Sequence, residues 1–196
     1  NYTIREYICS IMSKIEANTI DSVSGTSTLT LGSSNASTIA LGSGDVQSNF
    51  LYPAFYGELA SDQTVSDNTQ TKLTGMTQNE IDTDTAFDGT TFTVPSGKAG
   101  KYYICTQLFG NFDDVGRDGK QVQLNIFKNG SSIKEAKYET LTNTDLKFLS
   151  LTTSMLVDLS ASDTIESYIV LTDVNSGSGM KANDGQTFLS GYRLST

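Results

Sequence analysis

Gln121-Val122-Gln123-Leu124-Asn125-Ile126-Phe127-Lys128-Asn129-Gly130-Ser131-Ser132 is the stretch from which the fold can be read. Polar and apolar residues alternate from Gln121 to Ile126, the two-residue period of a strand with one face buried. The run stops at Asn129-Gly130, a pair that tolerates the positive φ angles of a tight hairpin turn. A second alternating run, Ser132 to Tyr138, follows at once, so the segment predicts an antiparallel hairpin.

The same pattern extends in both directions. Strands are expected at Ala54 to Leu59, Lys72 to Met76, Thr91 to Val94 and Lys101 to Phe109 before the hairpin, and at Lys147 to Asp158, Thr164 to Leu171 and Thr187 to Leu194 after it. Short alternating runs separated by turn residues are the pattern of an antiparallel sandwich. Eight or nine of them predict a mainly β protein, a jelly-roll β-sandwich occupying residues 51–196.

Two segments of different character precede this head. Residues 2–17 place Ile4, Ile8, Ile11 and Ile15 at the spacing of a coiled-coil seam, so residues 1–17 are expected to form an amphipathic N-terminal helix. Isoleucine at both seam positions favours trimers and higher states over dimers. A helix this short is marginal alone. It would therefore self-associate as a short coil, dock on a neighbouring protein or fold back on its own domain.

Residues 18–50 are rich in Ser, Thr, Gly and Asn, with Asp21 and Asp45 as the only charges. Ser27-Thr28-Leu29-Thr30-Leu31-Gly32-Ser33 returns ten residues later as Ser37-Thr38-Ile39-Ala40-Leu41-Gly42-Ser43. Leu29 and Leu31, then Ile39 and Leu41, alternate with small polar residues, so each unit reads as a short strand closed by a glycine turn. One copy has nothing against which to bury that apolar face, whereas three chains about a common axis bury it, giving a β-rich stalk. A flexible Gly/Ser linker is the other reading of this composition.

Charge and composition exclude several functions. The 196 residues contain 13 Lys and Arg against 22 Asp and Glu, a formal net charge of -9, so neither nucleic acid phosphates nor anionic lipid find an attractive surface. The chain has no His, which removes Ser-His-Asp triads, Cys-His dyads and HExxH zinc sites. No segment approaches the roughly 20 apolar residues of a spanning helix, and no membrane insertion is expected. Cys9 and Cys105 form no CxxC motif, and whether they pair is open. Cys105 lies in the apolar run Tyr102-Tyr103-Ile104-Cys105 and is expected to be a small buried hydrophobe.

Asp113, Asp114 and Asp118 concentrate three carboxylates in Asp113-Asp114-Val115-Gly116-Arg117-Asp118-Gly119. Calcium takes six to eight oxygen ligands, about what such a loop partly supplies with its carboxylates and carbonyls. The DxDxDG spacing of a dedicated calcium loop is absent, and a solvated acidic turn steadied by Arg117 accounts for the same residues. Asp82 and Asp84 read as solvated charges. Nothing in the carboxylate spacing selects the pair a glycosidase needs, and no enzymatic role is expected. Tyr102, Tyr103, Phe109, Phe112, Phe127, Tyr138, Phe148, Tyr168 and Tyr192 are spread over the strands as core or assembly residues.

The head resembles the jelly-roll heads of complement component one subcomponent q and of the tumour necrosis factor superfamily. Pro53-Ala54-Phe55-Tyr56 resembles that family's first strand, Phe87-Asp88-Gly89-Thr90-Thr91-Phe92-Thr93-Val94-Pro95 its Phe-Asp segment, and Gly100-Lys101-Tyr102-Tyr103-Ile104 its Gly-x-Tyr strand. Leu124 to Gly130 is similar to its central hairpin, Leu156 to Ile165 to the strand and turn before its penultimate strand, and Phe188-Leu189-Ser190-Gly191-Tyr192-Arg193-Leu194 to its closing strand. Ser162-Asp163 stands where the family has Gly-Asp. The resemblance implies a ten-stranded sandwich that assembles as a compact homotrimer, with aromatic residues of the inner sheet at the threefold axis.

The stalk has no Gly-x-y collagen repeat; its Ser/Thr/Gly strands resemble those of bacteriophage tail or head fibres. Helix, repeat and head in this order lead to the expectation of a structural virion protein on the virion surface. It would be a homotrimeric fibre or capsid or tail decoration, attached to other virion proteins through its N-terminal region and available to a host-surface glycan or receptor. The alternative expectation is a secreted ligand or glycan-binding recognition module built on the same head.

Overall fold

The computed structural model describes residues 52–112, 118–172 and 179–195. Ile4, Ile8, Ile11, Ile15, Leu29, Leu31, Ile39, Leu41 and Cys9 lie outside the described residues, as do Asp113 and Asp114. Twelve strands follow one another: β1 (Ala54–Leu59), β2 (Gln63–Val65), β3 (Gln70–Lys72), β4 (Met76–Asp82), β5 (Thr91–Thr93), β6 (Gly100–Asn111), β7 (Asp118–Lys128), β8 (Ser131–Asp145), β9 (Phe148–Leu159), β10 (Thr164–Thr172), β11 (Met180–Ala182) and β12 (Phe188–Ser195).

They form two antiparallel sheets. Sheet A runs β2-β11-β6-β12-β1-β4, with β9 along the opposite edge of β6. Sheet B runs β3-β10-β7-β8, with β5 beside β3 on β10. The expected jelly-roll β-sandwich is therefore the observed architecture.

Alternation sets which side chains enter the core. Along β6, Tyr102, Ile104, Thr106, Leu108 and Gly110 are buried and the residues between them are not. Along β10, Ile165, Ser167, Ile169 and Leu171 are buried in the same rhythm. The two inward faces meet, and Thr106 Oγ1 lies 2.8 Å from Ser167 Oγ, a hydrogen bond between the sheets. Phe55 stacks on Phe87 and Phe92, with ring centroids 5.1 and 4.3 Å apart, and Tyr102 closes the group at 5.8 Å from Phe92. The Tyr102 hydroxyl donates to the Lys98 carbonyl at 2.6 Å, and burial pushes its pKa up to about 12.

Gly191 shows how tightly β12 and β6 approach. A methyl group there would lie 2.6 Å from Ile104 Cδ1 and 2.8 Å from Phe55 Cε1, inside van der Waals contact.

The structure corrects the sequence reading in three places. No single strand spans Lys72 to Met76: β3 ends at Lys72 in sheet B and β4 begins at Met76 in sheet A. The chain crosses between sheets through Leu73, Thr74 and Gly75, the last at φ 71°. The three-residue strands β2 and β11, too short to show a period, pair with each other and widen sheet A beyond the ten-stranded expectation. Cys105 is only half-buried and points away from the core, because Tyr102, Ile104 and Thr106 occupy the inward phase of β6.

The Asn129-Gly130 turn joins β7 to β8 as expected, at φ 51° and 77°. Its side chain is tied to the turn between β9 and β10. Asn129 Nδ2 donates to Asp163 Oδ1 at 2.7 Å, and the Thr164 amide donates to Asn129 Oδ1 at 2.8 Å. Lys128 Nζ lies 2.9 Å from Asp163 Oδ2, and the Ser160 amide donates to the same oxygen at 2.8 Å. These donors, the Asn129 amide foremost, lower the Asp163 carboxyl pKa from 3.8 to about 2 against the opposing effect of burial.

Candidate functional site

In antiparallel pairs, directly opposed residues share a sheet face. The register of β1, β12, β6 and β9 therefore lays out the outer face of sheet A in rows. One row reads Ala54, Tyr192, Tyr103, Leu156; the next reads Tyr56, Ser190, Cys105, Ser154; a third reads Glu58, Phe188, Gln107, Thr152. Ile81 on β4 extends the row of Tyr56. Further along β6, Phe109 opposes Ser150 and Asn111 opposes Phe148.

Aromatic rings dominate this face, and they pair. Tyr103 and Tyr192 have ring centroids 5.5 Å apart, Tyr56 and Phe188 5.4 Å, and Phe109 and Phe148 5.6 Å. Ring-edge packing of this kind between neighbouring strands adds to the stability of the sheet. The rings of Tyr56, Tyr103, Phe109, Phe188 and Tyr192 stay half-buried, and Lys147 Nζ lies over the Phe148 ring at 5.3 Å from its centroid. Leu156 is 66% exposed, Phe148 47% and Ile81 45%, an unusual concentration of apolar side chains in water.

Charge is sparse here. Glu58 is held on the face by the Tyr56 hydroxyl, which donates to its Oε2 at 3.0 Å. That hydrogen bond and burial both push the Tyr56 pKa up, burial most. Lys101 and Asp158 pair across the rim at 2.9 Å, both exposed. The outer face of sheet B differs: it carries the Lys72–Glu166 pair at 2.6 Å and the Lys137–Glu139 pair at 2.8 Å. Burial pushes the Cys105 thiol pKa up from its ordinary value, which keeps it protonated at neutral pH. What the outer face of sheet A offers is apolar and aromatic area with few charges to desolvate, the composition of an interface centre.

The sequence-derived candidates divide accordingly. Tyr103, Phe109, Phe148 and Tyr192 come together on this face, whereas Tyr102 and Phe112 are core residues and Phe127 packs on Tyr168 at 4.3 Å in sheet B. Tyr56, Phe188 and Leu156 belong to the face but do not stand out in the sequence. Leu156 had a usable signal, since after Ser150, Thr152 and Ser154 it returns an apolar residue to the phase of β9 that Phe148 opens. Asp118 opens β7, and no group of three or more His, Cys, Asp or Glu suited to a metal ion occurs among the described residues. Asp82 is a structural cap, accepting from the Ala86 amide at 2.9 Å, and Asp84 lies 3.8 Å from Lys98.

Neither a family model nor a curated protein matches the chain. Solved structures do. Murine APRIL at pH 8.0 superposes with a TM-score of 0.51 at 13% identity, covering 72% of this chain and 98% of that one. The head is similar in fold to murine APRIL. A second murine APRIL structure, at pH 5.0, gives a TM-score of 0.51 at 12% identity over 72% of this chain and 98% of that one. The globular domain of a zebrafish complement 1qA protein covers 72% of this chain and 97% of its own, at 14% identity and a TM-score of 0.48. At these identities the likeness to APRIL speaks for the tumour-necrosis-factor-like jelly roll and for nothing finer.

Proposed function

We propose that this chain is a structural virion protein whose head forms a homotrimer through the outer face of sheet A. The observation that carries the proposal is the paired aromatic surface of Tyr56, Tyr103, Phe188 and Tyr192 with exposed Leu156 at its side. A single copy leaves that surface in water, and three copies about an axis bury it, which is the assembly implied by the sequence resemblance. The isoleucine seam of residues 1–17 and the strand repeat of residues 18–50 support a threefold arrangement independently, because three chains about one axis would cover the apolar residues of both. In this reading residues 1–50 attach to other virion proteins and extend the head, as a fibre or a capsid or tail decoration. Its work is assembly and attachment rather than catalysis.

With sheet A committed to assembly, a host glycan or receptor is left the outer face of sheet B and the loops. That surface would serve a secreted recognition module equally well, so the experiment separates the two settings. Purified particles are expected to carry the chain, bound through residues 1–50. A protein found only free and monomeric overturns the proposal, and a free trimer that binds glycans or receptors on an array favours the secreted module.

A further inference from the structure

The sequence contains one Asn-Gly pair, Asn129-Gly130, and the structure places it in an exposed hairpin turn. Asparagine followed by glycine is the dipeptide most open to intramolecular attack, because no Cβ shields the next backbone nitrogen. That reaction requires the nitrogen and the carboxamide carbon to reach near-attack geometry. Here the carboxamide is held at both ends by another turn: Nδ2 by Asp163 at 2.7 Å, Oδ1 by the Thr164 amide at 2.8 Å and its hydroxyl at 3.3 Å.

We infer that Asn129 is a latent deamidation site, latched shut in the folded head by Asp163 and Thr164. When the latch opens, Gly130 N bonds to Asn129 Cγ, the Cγ–Nδ2 bond breaks, and ammonia leaves with the Gly130 amide proton. Water then opens the cyclic imide to aspartate or isoaspartate. The aspartate product cannot re-form the Asp163 half of the latch: an oxygen replaces the Nδ2 donor opposite Asp163 Oδ1, so two carboxylates face each other, while only the acceptor facing Thr164 is kept. Conversion is thus not reversed by re-closing the latch, and it weakens the tie between the β7–β8 and β9–β10 turns, leaving the Asn129 backbone amide on the Thr164 carbonyl at 3.1 Å and Lys128 on Asp163 to hold them. The inference is independent of the assembly proposed above.

The full chain is incubated at mildly alkaline pH, once folded and once in guanidinium chloride, and conversion at Asn129 is followed by intact mass and peptide mapping. Misplacement of reacting groups by about an ångström costs roughly a hundredfold in rate, so the folded chain is expected to convert at least about tenfold more slowly than the denatured one. Equal rates overturn the inference. Asp163→Ala, shown folded by circular dichroism, is expected to close most of that gap; a folded Asp163→Ala chain that converts as slowly as its parent overturns it. Asn129→Asp reads the consequence directly: a lower thermal midpoint is expected, and an unchanged or higher one contradicts the latch.

Discussion

Tyr103 on β6 and Tyr192 on β12 lie directly opposite each other, with ring centroids 5.5 Å apart, and both point away from the core. Their neighbours Tyr102 and Gly191 lie on the inward phase, Tyr102 buried in the core and Gly191 leaving room for Ile104 and Phe55. The same two strands thus build the sandwich with one phase of their sequence and the aromatic outer face of sheet A with the other. Mutations on the two phases should consequently have separable effects.

Tyr103→Glu or Tyr192→Glu places a carboxylate at the centre of the face. Burying an unpaired charge costs several kcal/mol, of the order of a protein interface's whole margin. The expected outcome is a head that remains folded by circular dichroism while its mass in light scattering falls from trimer to monomer. A folded trimer in either variant would place the interface elsewhere.

The hydrogen bond between Thr106 and Ser167 joins the sheets at fully buried positions, and Thr106 Oγ1 also donates to the Phe188 carbonyl at 2.9 Å. Ser167 is therefore the donor to Thr106. Thr106→Val strands that hydroxyl in the core and is expected to cost about 1–3 kcal/mol in urea unfolding. Adding Ser167→Ala should recover part of the loss, so the double variant is less destabilised than the sum of the single ones.

Ser162 adopts φ 70°, a conformation in which a Cβ is strained, and it stands where the resembled family has glycine. Its amide still donates to the Val94 carbonyl at 2.9 Å, so the backbone is fixed there. Ser162→Gly relieves the strain at some cost in unfolded-chain entropy, for a net gain of about 0.5–1 kcal/mol. A shift of the urea midpoint to higher denaturant checks this, and a lower midpoint would contradict it.

Acid stability should report on Asp163. Its folded pKa is lowered from 3.8 to about 2, so between those values the unfolded chain binds more protons than the folded one. The stabilisation is present above the unfolded value and is lost as pH falls through that window. Asp163→Asn should flatten the dependence of the urea midpoint on pH in this range while lowering the midpoint at neutral pH. An unchanged slope would show that other carboxylates set it.

Much of the fold is legible in the sequence because most strands bury one phase only. β1 has the expected bounds, and β5, β7, β10 and β12 begin or end within a few residues of them. The reading fails where that rule fails. In Tyr102-Tyr103-Ile104-Cys105 both phases are apolar, so alternation cannot tell which one is inside, and the expected burial of Cys105 is not what the strand gives. The aromatic outer face of sheet A is hidden because its rings come from β1, β6 and β12, and only the cross-strand register brings Tyr56 beside Phe188 and Tyr103 beside Tyr192. The crossing at Gly75 and the three-residue β2 and β11 depend on pairings between distant segments, which no local pattern encodes.

In the proposed assembly, two further copies of the chain cover the outer face of sheet A. Light scattering on the full chain and on a truncation beginning at Leu51 tests it most directly. A trimer is expected in both, since the face lies wholly within the head; a monomer in both overturns the assembly.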